Sequence, residues 1–110
     1  MVTLNEPAVP TVNVAWFALG PNGQQIHLII YENHTLRNGK GLETRDIHCA
    51  LRVPSFREAV EHFRGKGYSE SAEDVLRRII IRPHATAGFP QLYILDPDRN
   101  LIEVNAAVLD

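Results

Sequence analysis

The feature that most constrains the fold is a change in hydrophobic period at Pro54. Residues 46–53 alternate between apolar and polar positions, as expected for a half-buried strand. After Ser55, apolar residues recur at the spacing of one helical face. Ser55 and Glu58 have the spacing of a capping box. The apolar helix positions are Phe56, Ala59, Val60 and Phe63. A strand followed by a capped amphipathic helix must bury one face against the other, so the pattern predicts an α+β fold.

The remaining apolar segments are short and separated by turn residues. Residues 12–19 and 24–31 flank Gly20-Pro21-Asn22-Gly23, which predicts a β-hairpin over residues 12–31, preceded by an extended lead-in. The pattern of apolar and turn residues over 45–107 predicts a strand, a helix and three further strands. The last two strands are expected at 91–95 and 101–105, on either side of the turn 96–100. We interpret residues 1–110 as a single domain.

Composition narrows the function classes. The formal net charge is -2, so no basic surface predicts binding to nucleic acid or to an anionic membrane. The single cysteine, Cys49, cannot form an internal disulfide, which favours a cytoplasmic location. The N-terminus lacks the features of a secretory signal, and no apolar run could cross a bilayer. The expected partner is a small-molecule substrate.

Alternation also predicts a polar face on the sheet, opposite the helix. The residues expected on this face are His48, Arg52, Gln91, Tyr93, Glu103 and Asn105. In the hairpin, His27 interrupts an apolar strand. Two interpretations stay open from periodicity alone: a solvated outer face, or a shared chemical site. His84 lies in the loop 83–90, a position where ligand contacts are common.

Three stretches resemble the vicinal oxygen chelate superfamily, which comprises glyoxalase I, bleomycin-resistance proteins and extradiol dioxygenases. They are QQIHLII, then DIHCALRV followed by the capped helix, then GFPQLYILDPDRNLIEVN. The last is the most specific, because an Asp-Pro-Asp-x-Asn turn precedes Ile-Glu. The resemblance covers residues 12–107. It implies a βαβββ module over residues 45–107, with the first module truncated to the hairpin 12–31. Arg99 stands where the turn of the family usually has glycine.

The resemblance implies a metal centre. Carried over residue by residue, His27, His48 and Glu103 are the implied ligands of a divalent metal ion: Fe, Mn, Zn, Ni or Co. Glu103 is the candidate catalytic residue. Trp16, Arg52 and Tyr93 are the candidate substrate-binding residues.

The implied function is a glyoxalase-like, metal-dependent enzyme acting on a small oxygen-chelating substrate. Its reaction would be of the lyase, isomerase or dioxygenase type, with the metal stabilising an enediolate or oxyanion. The alternatives are a metal-free binding protein of the bleomycin-resistance type and a catalytically inactive remnant. Because a hairpin without its own helix leaves an apolar face uncovered, we also expect a homodimer.

Overall fold

A computed structural model describes residues 2–3, 14–30 and 35–110 of the chain. The chain divides into two compact units, Met1–His34 and Thr35–Asp110. The described part has an α+β architecture, with one α-helix and two sheets. None of the helices in this part is long and apolar enough to cross a membrane.

The first unit contains a three-stranded antiparallel sheet in the order β1-β2-β3. Its strands are β1 (Val2–Thr3), β2 (Val14–Ala18) and β3 (Gln25–Ile29). The predicted hairpin is present as β2 and β3, and the ends of its predicted range at 12–13 and 31 lie outside the described residues. The expectation of a two-stranded hairpin with only an extended lead-in was wrong. Val2 and Thr3 pair with Ala18 and Phe17, because extended backbone can complete the free edge of β2 whatever its side chains.

The second unit contains a four-stranded sheet in the order β4-β7-β6-β5. The strands are β4 (His48–Arg52), β5 (Ile80–Arg82), β6 (Gln91–Leu95) and β7 (Leu101–Asn105). Helix α1 (Phe56–Gly65) follows β4, and a short 3₁₀ helix (Val75–Arg77) precedes β5. The predicted element order of strand, helix and three strands is therefore present. β4 pairs with β7 in parallel, and the other neighbours are antiparallel.

Helix α1 covers one face of this sheet. Ser55 is its N-cap, with its hydroxyl accepting a hydrogen bond from the backbone N–H of Glu58 at 3.1 Å, as the capping pattern predicted. The buried core on this side comprises Phe56, Ile79, Leu92, Ile94, Val104 and Ala106. Ala59, Val60 and Phe63 of the helix pack against it. Burial of these side chains holds helix and sheet together, since a fully buried Val, Leu, Ile or Phe side chain contributes about 1.5–3 kcal/mol.

The turn between β6 and β7 uses Arg99 in a left-handed conformation, with φ of 67°. Glycine adopts this conformation without steric penalty, whereas the Cβ atom of Arg99 makes it a strained conformation. Asp96 stabilises the turn by accepting hydrogen bonds from the backbone N–H groups of Asp98 and Asn100. The side chain of Arg99 donates to the carbonyl oxygen of Lys40 at 2.8 Å.

Candidate functional site

Glu103 lies in the middle of β7, on the sheet face opposite α1, and its residue surface is 5% exposed. Its neighbours follow from the register of the sheet. Ala50 of β4 lies beside it on one side and Tyr93 of β6 on the other. Asn105, two residues further along β7, points to the same face and donates from Nδ2 to Glu103 Oε2 at 2.5 Å.

The imidazole of His48 is oriented by the backbone. Its Nδ1 lies 2.7 Å from the carbonyl oxygen of Asp46. A carbonyl oxygen can only accept, so Nδ1 carries a proton, and in the neutral ring Nε2 is left with a free lone pair. Metal-binding histidines commonly have this arrangement, in which one ring nitrogen donates to a carbonyl and the other faces the ion.

His48 Nε2 lies 3.4 Å from Glu103 Oε1. This distance is longer than the roughly 2.7–3.2 Å typical of an N–H···O hydrogen bond. Two ligands with bonds of about 2.0–2.2 Å to one tetrahedral ion lie about 3.4 Å apart. Unless the imidazole is protonated, the two atoms are both electron-pair donors and would repel. A proton on the imidazole or a metal ion between the two atoms would remove this repulsion.

Hydrogen bonding keeps Glu103 ionised despite its burial. Burial raises the pKa of the Glu103 carboxyl, but the hydrogen bond from Asn105 lowers it. Further hydrogen bonds from Tyr93 and Gln91 and the charge of His48 lower it as well. The net result is a pKa below the ordinary value of 4.5, so Glu103 is a carboxylate at neutral pH.

Tyr93 remains a phenol at neutral pH. Burial raises the pKa of its hydroxyl, and the hydrogen bond and negative charge of Glu103 raise it further. Arg82 opposes these effects without reversing them. The ring of Tyr93 also meets the His48 ring edge-on, with centroids 5.8 Å apart. Tyr93 thus acts as a donor to Glu103 and as a wall beside His48.

A chain of contacts positions the segment that precedes β4. Arg37 forms an ion pair with the carboxylate of Asp46, and its Nε donates to the carbonyl oxygen of Arg99 at 2.8 Å. Asp46 also accepts a hydrogen bond from the backbone N–H of Ile47. These contacts fix the backbone carbonyl of Asp46, to which His48 is bonded.

The other two candidate substrate-binding residues lie in different surroundings. Arg52 donates from Nε to Asn105 Oδ1 at 2.6 Å and stacks over the ring of Phe89. Asn105 therefore links Arg52 to Glu103. Trp16 belongs to the first unit, where its ring stacks on that of His27 with centroids 4.3 Å apart.

His27, the third implied ligand, also belongs to the first unit. It is the cross-strand partner of Trp16, and its Nε2 lies 2.8 Å from Gln25 Oε1. Its convergence with His48 and Glu103 stays a prediction. Within the described part of either unit, no group of three or more His, Cys, Asp or Glu side chains is arranged to hold a metal ion.

The interpretation of a solvated outer face was wrong for four of its six residues. Gln91, Tyr93, Glu103 and Asn105 are all buried. Alternation assigned them to the face opposite the helix, and the structure confirms that assignment, but alternation carries no information on what covers a face. Arg52 and His48 are the more accessible members, and the His48 side chain is 27% exposed.

Sequence reasoning missed the roles of Arg37 and Asp46. The bond to His48 comes from the backbone carbonyl of Asp46, which any residue could supply, so no residue type signals it. Arg37 lies in a polar stretch between the predicted hairpin and the strand at 46–53, where no apolar pattern predicts an element. An arginine followed at a distance by an aspartate just before a strand is too common to predict an ion pair.

We compared the chain with protein-family models, with curated proteins and with solved structures, and none of the three comparisons found a match.

Proposed function

We propose that His48 and Glu103 bind a divalent metal ion, and that the protein is a metal-dependent enzyme of the glyoxalase type. The observation that carries the proposal is the 3.4 Å separation of His48 Nε2 and Glu103 Oε1. It is the spacing of two ligands on one ion and is too long for a normal hydrogen bond. A βαβββ order of elements in the second unit, with these residues on adjacent strands, supports the proposal.

The surroundings of the pair are compatible with a bound metal ion. Glu103 is ionised, and His48 has its other nitrogen bonded to Asp46. Asn105 holds the second carboxylate oxygen and leaves Oε1 toward His48. Such outer contacts fix the orientation of ligands and strengthen metal binding. His27 is proposed as the third ligand from the family resemblance.

The chemistry supported is Lewis-acid catalysis on a small substrate with two neighbouring oxygens. A bound divalent ion would polarise those oxygens and stabilise negative charge that develops on them. Tyr93 keeps its proton and donates to Glu103, so it cannot serve as a base at neutral pH. As a proposed metal ligand, Glu103 is not available as a base either. The base for any proton abstraction therefore belongs to another group or to the substrate.

Cobalt and thermal unfolding test the proposal. Purified without chelator-bound nickel, the protein should show visible absorption bands on Co²⁺ addition. Zn²⁺, Mn²⁺ or Ni²⁺ should raise its melting temperature relative to EDTA. An ion that binds only the folded state stabilises it by about 2.7 kcal/mol at one hundred times its Kd.

Matched variants locate the site. Glu103→Gln and His48→Gln should abolish the cobalt bands and the metal-dependent shift. His62→Gln should retain both, since His62 is an exposed residue of α1 on the other side of the sheet. His27→Gln should weaken cobalt binding if His27 is the third ligand. Identical melting curves with EDTA and metals, with no cobalt bands, would favour the metal-free binding protein or the catalytically inactive remnant.

A further inference from the structure

A second feature of the same sheet is a cavity of about 390 Å³ beside β5 and β6. Its walls come from the last residue of β5, the following loop and the first residue of β6. The lining residues are Arg82, Pro83, His84, Ala85, Thr86 and Gln91. Sequence reasoning singled out His84 as a loop residue that could border a site, and this is the cavity it borders.

The lining is rich in hydrogen-bond donors and contains no carboxylate. Arg82 carries a permanent positive charge, and its guanidinium lies over the Tyr93 ring, 5.7 Å from the centroid. Arginine ion pairs within residues 14–30 and 35–110 are made by four others: Arg37, Arg45, Arg57 and Arg64. Arg82 is thus a charged donor available to a ligand.

The charge of Arg82 lowers the pKa of the Glu43 carboxyl. The pKa of Glu43 is lowered mainly by its hydrogen bonds with Arg45 and only slightly by Arg82. Glu43 is therefore already neutralised by another arginine. Glu103 affects the same Tyr93 as Arg82 does, but it is bonded to Asn105.

Gln91 connects the cavity to the candidate metal site. Its side chain lines the cavity, and its hydrogen bond is one of those that lower the pKa of Glu103. Tyr93, on the same face of β6, is contacted by Arg82 and by His48. A small molecule in the cavity would therefore be separated from Glu103 by one side chain.

We propose that this cavity binds an oxyanion group, a carboxylate or a phosphate, and that the substrate of the His48–Glu103 centre carries that group. A planar guanidinium matches such groups with two parallel hydrogen bonds, and histidine, threonine and glutamine side chains supply further donors. The link to the substrate rests on the function proposed above, whereas oxyanion binding by the cavity is independent of it.

The test uses metal-free full-length protein and two probes, inorganic phosphate and acetate. Backbone amide shifts are followed by ¹H–¹⁵N NMR during each titration. We expect saturable shifts confined to residues 82–91, with phosphate, acetate or both. Saturation by phosphate alone indicates a phosphate ester as substrate, and saturation by acetate alone indicates a carboxylic acid.

Variants decide whether Arg82 is responsible. Arg82→Gln should raise the apparent Kd at least about tenfold, because it removes a charge-assisted hydrogen bond. Arg57→Gln makes the same change of charge on α1, across the sheet, and should leave the Kd unchanged. The unliganded spectra of both variants verify that they are folded.

The outcomes separate this inference from the proposed function. No localised shift, or an unchanged Kd in Arg82→Gln, overturns oxyanion binding even when cobalt binds at His48 and Glu103. Oxyanion binding without cobalt binding would confirm the cavity as an oxyanion site but would overturn its role in a metal-dependent reaction. Both forms of binding together support the complete proposal.

Discussion

His48 Nε2 and Glu103 Oε1 face each other at 3.4 Å, although one residue lies in β4 and the other in the last strand of the chain. Parallel pairing of β4 with β7 causes this proximity, since it places Ala50 beside Glu103 and His48 one pleat away on the same face. Asp46 and Asn105 then orient the two side chains from opposite ends. The pair is thus a product of strand order and of two supporting hydrogen bonds.

The first prediction concerns acid stability. The pKa of Glu103 is lowered in the folded state from 4.5, because its hydrogen bonds and the charge of His48 outweigh burial. A carboxyl with a depressed pKa stabilises the fold above its unfolded pKa, and this stability is lost as pH falls through its folded pKa. Wild type should therefore lose stability below about pH 4.5 more steeply than Glu103→Gln, as measured by urea unfolding across pH in the presence of EDTA. Parallel pH profiles for the two proteins would contradict the assigned shift.

The second prediction concerns Asn105, which donates to Glu103 and accepts from Arg52. Asn105→Asp replaces the donor facing Glu103 with a negatively charged acceptor, while the bond from Arg52 can persist. We expect destabilisation of about 1–3 kcal/mol at pH 7, the typical cost of leaving a buried polar group unpaired. Since one of the two carboxyls gains a proton in acid, the difference from wild type should shrink toward pH 4. Asn105→Asp protein as stable as wild type at pH 7 would show that the Asn105–Glu103 bond is unimportant.

The third prediction concerns the strained turn. Arg99 has φ of 67°, and its side chain donates to the carbonyl oxygen of Lys40. Arg99→Gly and Arg99→Ala both remove that side-chain bond, but only glycine relieves the left-handed strain. The glycine variant should be more stable than the alanine variant by about 1–2 kcal/mol in chemical unfolding. Equal stabilities would mean that the backbone strain at Arg99 is negligible.

The fourth prediction concerns self-association, which we retain as a proposal. Leu28, Ile29 and Ile30 are consecutive, apolar and more than half exposed, at 51%, 68% and 63%. Exposed apolar side chains on both faces of β3 and just after it favour burial against a second copy. Sedimentation equilibrium at low micromolar concentration should give twice the mass of the chain.

Matched leucine substitutions test which surface is involved. Leu28→Lys should shift the protein toward the mass of one chain. Leu36 is also exposed but lies in the second unit, so Leu36→Lys should leave the mass unchanged. A folded wild-type protein with the mass of one chain would rule out the homodimer.

Local patterns in the sequence predicted much of the second unit. The change of period at Pro54, the cap at Ser55 and the turn at Asp96 determine where the strand, helix and last hairpin form, because their signals act within a few residues. Alternation also determined that Tyr93 and Glu103 share the face opposite the helix, because successive side chains of a strand point to opposite faces of the sheet.

Only the tertiary structure decided how these elements come together. Parallel pairing of β4 and β7 depends on burial of the helix-covered core. That core is formed by contacts between residues far apart in the sequence. Burial of Glu103, the orientation of His48 by a backbone carbonyl and the exposed cation of Arg82 at a cavity follow from that packing. The Arg99 turn shows the same division: the sequence determined a turn, and its left-handed residue was decided by the requirement that β6 and β7 pair. Local chemistry determines the elements of this protein, whereas the neighbours, burial and charge of its candidate site depend on contacts between residues far apart in the chain.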